Sequence, residues 1–187
     1  IYGNANALHK EGVSAKKELE CARQKIADTI GAHADEIIFT SGGTEANAIA
    51  IEGILRPLLQ ELGETHAITS TAEHSSVSEP LRSLENDGLY VTEIDPENIK
   101  EAITEETSFV SIQLVNSEVG TIYPIKEIAK QIRSRTAQSD GKTWPSGPER
   151  RRERGAAKLI FHTDASQAPL WLKINFHFVQ IKPSLYK

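Results

Sequence analysis

The 187-residue sequence has no methionine, a single cysteine and no apolar run long enough to cross a bilayer. Each absence excludes something. With Cys21 alone, an internal disulfide framework is ruled out, and the composition fits a reducing compartment; a cytoplasmic location is expected. A spanning helix needs about 20 consecutive apolar residues, so no membrane association is expected, and no signal-peptide pattern opens the chain. The net charge of -5 argues against a general nucleic-acid binder. No metal site is expected. A chain without methionine does not begin at an unprocessed start codon, and the expectation is a piece of a longer protein.

What is present is an alternation of two periods. Leu19, Ile26 and Ile30 recur near helical spacing among Lys, Glu and Arg, which predicts an amphipathic helix over 12–30. Residues 36–40 read as a short buried strand. A helix then opens at Thr44 and runs through Ile49, Ile51, Ile54 and Leu55, with Pro57 as a break or kink. Strands are predicted at 67–70, 89–94, 109–114 and 158–163. Helices are predicted at 77–86, closed by Gly88, at 124–133, and as a short turn started by Asp95-Pro96. Such alternation favours an α/β fold with a parallel or mixed sheet covered on both faces. Ligands in these sheets gather at the carboxyl ends of the strands.

Residues 134–157 interrupt the rhythm with Arg, Ser, Gly and Pro around the basic run Arg150-Arg151-Arg152-Glu153-Arg154. Such a run fits a nucleic-acid contact or a solvated loop, and the acidic whole favours the loop. The segment is expected to be a mobile surface excursion with no role in the core.

Four short motifs stand at or just after the predicted strand ends. Ser41-Gly42-Gly43-Thr44-Glu45-Ala46-Asn47 follows Ile37-Ile38-Phe39. Glycines let the backbone approach an anion, and the first N–H groups of the following helix point at it. Glu73-His74-Ser75, then Val115-Asn116-Ser117-Glu118-Val119-Gly120, then Phe161-His162-Thr163-Asp164-Ala165-Ser166-Gln167 complete the set. Taken singly, each has a plain structural reading. Ser41 or Thr44 is a common helix cap, Asp164 is another, and a loop histidine such as His74 is usually a surface residue. Asp164 is the least ordinary, because a carboxylate closing an apolar strand is costly without a partner.

In this order, the motifs resemble those of cysteine desulfurases, the NifS- and IscS-like members of the class V aminotransferase family of pyridoxal-phosphate enzymes. The resemblance begins at Gly3-Asn4, continues through His9 and Gly12, and reaches about Asn175. It implies part of the large domain of the pyridoxal-phosphate transferase fold type I, with pyridoxal 5'-phosphate as cofactor. By the same resemblance Gly43 and Thr44 hold the phosphate, His74 stacks on the ring and takes part in proton transfer, Asp164 faces the pyridine nitrogen, and Gln167 hydrogen-bonds the ring hydroxyl. Ser117 stands where the family has a second asparagine that contacts the ring, so that contact is altered here.

The implied reaction removes sulfur from L-cysteine, leaving alanine and a persulfide for iron–sulfur or thio-cofactor assembly. A homodimer and a sulfur-acceptor scaffold are the implied partners. An aminotransferase, a selenocysteine lyase and a non-catalytic remnant or interaction module are the alternatives. The family's cofactor lysine follows a histidine, whereas Lys187 follows Tyr186 in a tail, 176–187, that departs from the family pattern. The family's persulfide-forming cysteine lies on a later loop, while Cys21 falls in the first helix and reads as a structural thiol. The whole of 1–187 is thus expected to be an incomplete cofactor-binding domain, inactive by itself.

Overall fold

The alternating pattern builds a parallel sheet. A computed structural model describes residues 2–139, 159–168 and 172. Its contacts divide the chain between Phe39 and Thr40 into two compact units.

The first unit is built on helix α1 (Lys10–Ile30), followed by a single turn of tighter helix at Ala34–Glu36. His9 caps α1, its Nδ1 accepting the Gly12 N–H at 3.2 Å, and Gly31 ends it in the left-handed region at φ 71°. Leu19 and Ile26, expected to form the buried face, are exposed, and so is Cys21. The thiol is therefore not packed into a core. The strand expected at 36–40 does not form either. Residues 37–40 have no strand partner among the described residues, and Ile38 is 71% exposed. Side-chain contacts occupy this stretch instead: Arg23 donates to the Ile37 carbonyl and sets its guanidinium 4.9 Å from the Phe39 ring centre.

The second unit holds α2 (Gly43–Leu62), β1 (Thr65–Ser70), α3 (Ser75–Ser83), β2 (Leu89–Ile94), α4 (Ile99–Ala102), β3 (Thr107–Ser111), α5 (Ile125–Ser139) and β4 (Ile160–His162). The strands are all parallel, in the order β2-β1-β3-β4. Side chains alternate along each strand, and the two faces gain separate cores. Ala67, Leu89 and Phe109 pack with Ile51, Leu55 and Leu59 of α2 and with Val77 and Leu81 of α3. Ile68 and Val110 face the other way, against Ile99 of α4 and Ile128 and Ile132 of α5. The sheet is covered on both faces, as the alternation implies.

Several boundaries differ from the sequence pattern. Pro57 does not break α2, which continues to Leu62; a buried stripe of Ile51, Leu55 and Leu59 spans the proline and holds the helix to the sheet. Helix α3 closes at Ser83, and a separate turn at Glu85–Asp87 leads to Gly88 at φ 103°. A Cβ on Gly88 would overlap the Gly63 carbonyl, so only glycine fits. Asp95 caps the next turn through the Glu97 N–H, with Pro96 in its first position, as expected. Helix α5 runs to Ser139, beyond the expected boundary at 134. The remainder of the 134–157 segment, like the 176–187 tail with Lys187, lies outside the described residues.

One buried polar group ties three strands together. His66 of β1 places Nδ1 2.8 Å from Thr107 Oγ1 on β3 and Nε2 2.9 Å from Thr92 Oγ1 on β2. Both ring nitrogens are thereby satisfied, which offsets the cost of burying the imidazole.

The division of α2 into a packed and a wet face gives a direct test. Ile51 is fully buried in the first core, whereas Ile49 is 47% exposed. Ile51→Ala is expected to cost about 2–5 kcal/mol through lost burial and the cavity left behind, and Ile49→Ala no more than about 0.5 kcal/mol. Urea unfolding of the two variants checks this; comparable losses would mean that α2 is not seated as described.

Candidate functional site

Parallel strands bring their carboxyl ends to one edge, and the segments that follow β1, β3 and β4 meet there with the start of α2. The Asp164 carboxylate is the centre of this meeting. It follows β4, and each of its oxygens is held: Oδ1 accepts the Ser166 N–H at 2.8 Å, and Oδ2 accepts an amide hydrogen of Asn47 at 2.9 Å. Burial by itself would raise this carboxyl. Hydrogen bonds from Ser166 and Asn47, with the neighbouring His162, outweigh burial and hold it below the usual carboxylate range. Asp164 is thus ionised at neutral pH.

Asn47 is the residue that joins the site together. It lies on the buried stripe of α2, four residues before Ile51, and is only 5% exposed. Its other amide hydrogen goes to Ser76 Oγ, 2.9 Å away near the start of α3. Ser76 Oγ in turn lies 2.8 Å from Nδ1 of His74, the cap of α3, and the same nitrogen accepts the Ser76 backbone N–H at 3.1 Å. His74 and Asp164 are therefore connected, through Asn47, which closes the first motif without an assigned role, and Ser76, which lies outside all four. The sequence carried a signal for Asn47, a polar residue in phase with Ile51 and Leu55. Ser76, two places beyond His74, had no such marker.

Glu73, half-buried, stands beside His74 at the same edge. Oε1 accepts the Gln113 N–H, which ties the end of β1 to the end of β3, while the Oε2 atom is buried with no hydrogen-bond partner among the described residues. Burial pushes its carboxyl up to about 7; the Gln113 N–H opposes that rise and the nearby Asp164 charge reinforces it. His162 sits one strand over, its ring stacked on Phe109 at 5.9 Å and its Nδ1 2.8 Å from Ser111 Oγ. Burial lowers it to about 4, against the pull of Asp164, so it is neutral where Asp164 is charged.

The remaining motif residues stand at the same edge, with lighter connections. Gly43 opens α2 so close to the loop after Asp164 that a Cβ on it would meet Ser166 Oγ at 3.1 Å. Thr44 is next in that first turn and exposed. Asn116 folds its own turn: its side-chain carbonyl accepts the Glu118 and Val119 N–H groups at 2.9 Å, and its amide donates to the Ala72 carbonyl at 3.1 Å. That leaves Ser117 exposed in the turn, and Gln167 is exposed in the turn after Asp164.

This donor set suits an anionic ligand with a cationic ring nitrogen. First-turn N–H groups of α2, which have no acceptor within their own helix, and a glycine against Ser166 favour phosphate. The ionised, doubly hydrogen-bonded Asp164 favours a protonated pyridine, and the exposed His74 ring is available as a plate. Gly43, Thr44, His74 and Asp164 therefore fit pyridoxal phosphate.

The two displaced titrations act on stability in opposite directions. Glu73, raised from 4.5 to about 7, contributes stability that is fully present below about pH 4.5 and lost as pH rises through about 7. His162, lowered from 6.5 to about 4, contributes stability present above about pH 6.5 and lost as pH falls through about 4. His66, also lowered by burial, adds to the histidine side. Removing the glutamate slope with Glu73→Gln is expected to make stability climb more steeply between about pH 4 and pH 7, by up to about 3 kcal/mol relative to the unsubstituted chain. Urea midpoints across that range measure it; two parallel curves would contradict the raised Glu73 titration.

Known proteins resemble this chain in sequence and in fold. The family model described as aminotransferase class-V matches residues 1–138. The NifS/IcsS protein homolog of Lactobacillus delbrueckii subsp. bulgaricus is 46% identical over 138 residues, covering 70% of this chain and 35% of the relative. The mitochondrial cysteine desulfurase of Drosophila melanogaster is 39% identical over 177 residues, 90% of this chain and 33% of that protein. Among solved structures, SspA in complex with cysteine superposes with a TM-score of 0.76 at 32% identity, covering 95% of this chain and 46% of the other. DndA from Streptomyces lividans gives 0.68 at 36% identity, with 89% and 42% covered. The chain thus spans between a third and a half of the length of these proteins. Their shared architecture is the pyridoxal-phosphate transferase fold type I expected from the motifs. With its motifs, sheet order and relatives in agreement, the chain belongs to the class-V aminotransferase family, among NifS- and IscS-like members.

Proposed function

We propose that this chain contributes the cofactor-holding residues of a cysteine desulfurase. In this reading L-cysteine loses its sulfur to an enzyme thiol, the C–S bond breaks, and the products are alanine and a persulfide. The observation that supports it most is the ionised Asp164, held by Asn47 and Ser166 beside the start of α2 and connected to His74. Relatives named cysteine desulfurase, and a related structure containing cysteine, agree with it.

Each residue then has a role set by its own chemistry. The first-turn N–H groups at Gly43 and Thr44, with the Thr44 hydroxyl, hold the phosphate at the positive end of the α2 dipole. Asp164 keeps the ring nitrogen protonated, since a charged carboxylate favours its cationic partner. Pyridoxal phosphate, when bound, supplies an electron sink for the carbon from which the substrate loses its proton. His74 packs against the ring and carries a proton at Nε2. Gln167 and Ser117 are assigned to the polar edge of the ring. The sulfur-accepting thiol is not assigned to Cys21, which is exposed on α1. We assign the whole protein to the cytoplasm as a homodimer serving a sulfur-acceptor scaffold.

The test uses the full-length protein that carries this chain. Asp164→Asn is expected to weaken pyridoxal-phosphate binding about 10- to 100-fold, the loss of one charge-assisted hydrogen bond, as read by titration of cofactor absorbance. The unsubstituted protein should release alanine from L-cysteine in step with persulfide. Cofactor affinity unchanged by the substitution, or alanine formed without persulfide, would refute the assignment.

A further inference from the structure

We propose that Asn47 and Ser76 are positioning residues that fix His74 as its Nε2–H tautomer and tie that choice to the Asp164 carboxylate. The functional part of this rests on the reading of His74 as the residue that faces the cofactor ring; the hydrogen-bond logic stands without it.

The logic runs through the direction of each bond. A backbone N–H only donates, and the Ser76 N–H reaches His74 Nδ1 at 3.1 Å. Nδ1 must therefore present its lone pair, and the proton of the neutral ring sits on Nε2. Asn47 removes the remaining ambiguity. Its amide nitrogen also only donates, and its two hydrogens go to Asp164 Oδ2 and Ser76 Oγ, both at 2.9 Å. With Ser76 Oγ accepting from Asn47, its single hydroxyl hydrogen is free to point at Nδ1, 2.8 Å away. Nδ1 thus receives both hydrogens that Ser76 offers.

Burial makes the arrangement stiff. Asn47 is 5% and Ser76 7% exposed, so neither has water to fall back on, whereas the His74 ring is exposed. Reversing the tautomer would set an N–H against the Ser76 backbone N–H and strand that donor. Flipping the Asn47 side chain would place its carbonyl against the Asp164 carboxylate. The negative charge on Asp164 selects the Asn47 orientation, which selects the Ser76 hydroxyl direction, which selects the His74 tautomer. Facing the ring site, His74 accordingly offers a hydrogen at Nε2 and holds no lone pair there. In its neutral form it donates at that atom, to an anionic oxygen or to a substrate carbon awaiting a proton, and it takes no proton there.

Nitrogen-15 NMR of the His74 ring in the full-length protein that carries this chain, without cofactor, distinguishes the two tautomers directly. The unsubstituted chain is expected to show Nδ1 unprotonated and Nε2 protonated. Ser76→Ala keeps the backbone N–H and loses the hydroxyl, and should move the tautomer ratio about 2- to 10-fold toward Nδ1–H, the worth of one hydrogen bond. Ser76→Thr, which restores a hydroxyl, should recover most of the original ratio. Asp164→Asn should shift the His74 ring signals in the unsubstituted background and leave them unmoved in Ser76→Ala. A His74 ring protonated on Nδ1 in the unsubstituted chain overturns the proposal without reference to any variant, as does a ratio that Ser76→Ala leaves unchanged. Pyridoxal-phosphate titration of the same samples separates the two readings. An Nε2–H ring in a chain that does not bind the cofactor sinks the functional assignment and retains the relay; normal cofactor binding with an unmoved tautomer does the reverse.

Discussion

A carboxylate at the end of an apolar strand is the constraint around which the second unit is arranged. Asp164 is half-buried, and unpaired it would be driven to protonate. Backbone and side-chain donors prevent that: the Ser166 N–H comes from its own turn, and the Asn47 amide comes from a helix 117 residues earlier in the chain. Because Asn47 shares a stripe with Ile51, Leu55 and Leu59, the donor is positioned by the same packing that seats α2 on the sheet. Core and site are thus one construction. The helix is held by its apolar face and delivers the carboxylate's partner from its first turns.

Around that pair the titratable groups take different states. Asp164 is held ionised, while burial keeps His162 neutral and raises Glu73 to about 7. The Asp164 charge disfavours a second anion at Glu73 and favours a cation near it. A ligand bringing a protonated ring nitrogen would meet one committed negative charge with an adjustable one behind it. That environment suits a site whose chemistry depends on a proton kept on the ligand.

The alternation of periods already placed the sheet, the two covering layers and the edge at which ligands gather. Strand β2 falls at 89–94 as its apolar spacing indicates, and the Asp95-Pro96 cap lies as expected. Gly43 could be read from its turn chemistry, and in the structure Ser166 Oγ lies 3.1 Å from where a Cβ on it would stand. The stretch 36–40 looked like a strand for the same local reason, Ile37-Ile38-Phe39 being apolar, but no neighbour pairs with it among the described residues. A strand is completed by its partner, and local composition does not supply one.

What the sequence determined by itself was local: where helices and strands alternate, which turn approaches an anion, and which carboxylate needed a partner. Only the tertiary structure decided who that partner is. The Asn47–Asp164 bond joins residues 117 apart, and Glu73 meets the Gln113 N–H across 40. Such contacts follow from sheet order and helix seating, which bring distant donors within about 3 Å. The charge states followed too, since a carboxyl's affinity for its proton depends on burial and neighbours and not on its place in the chain.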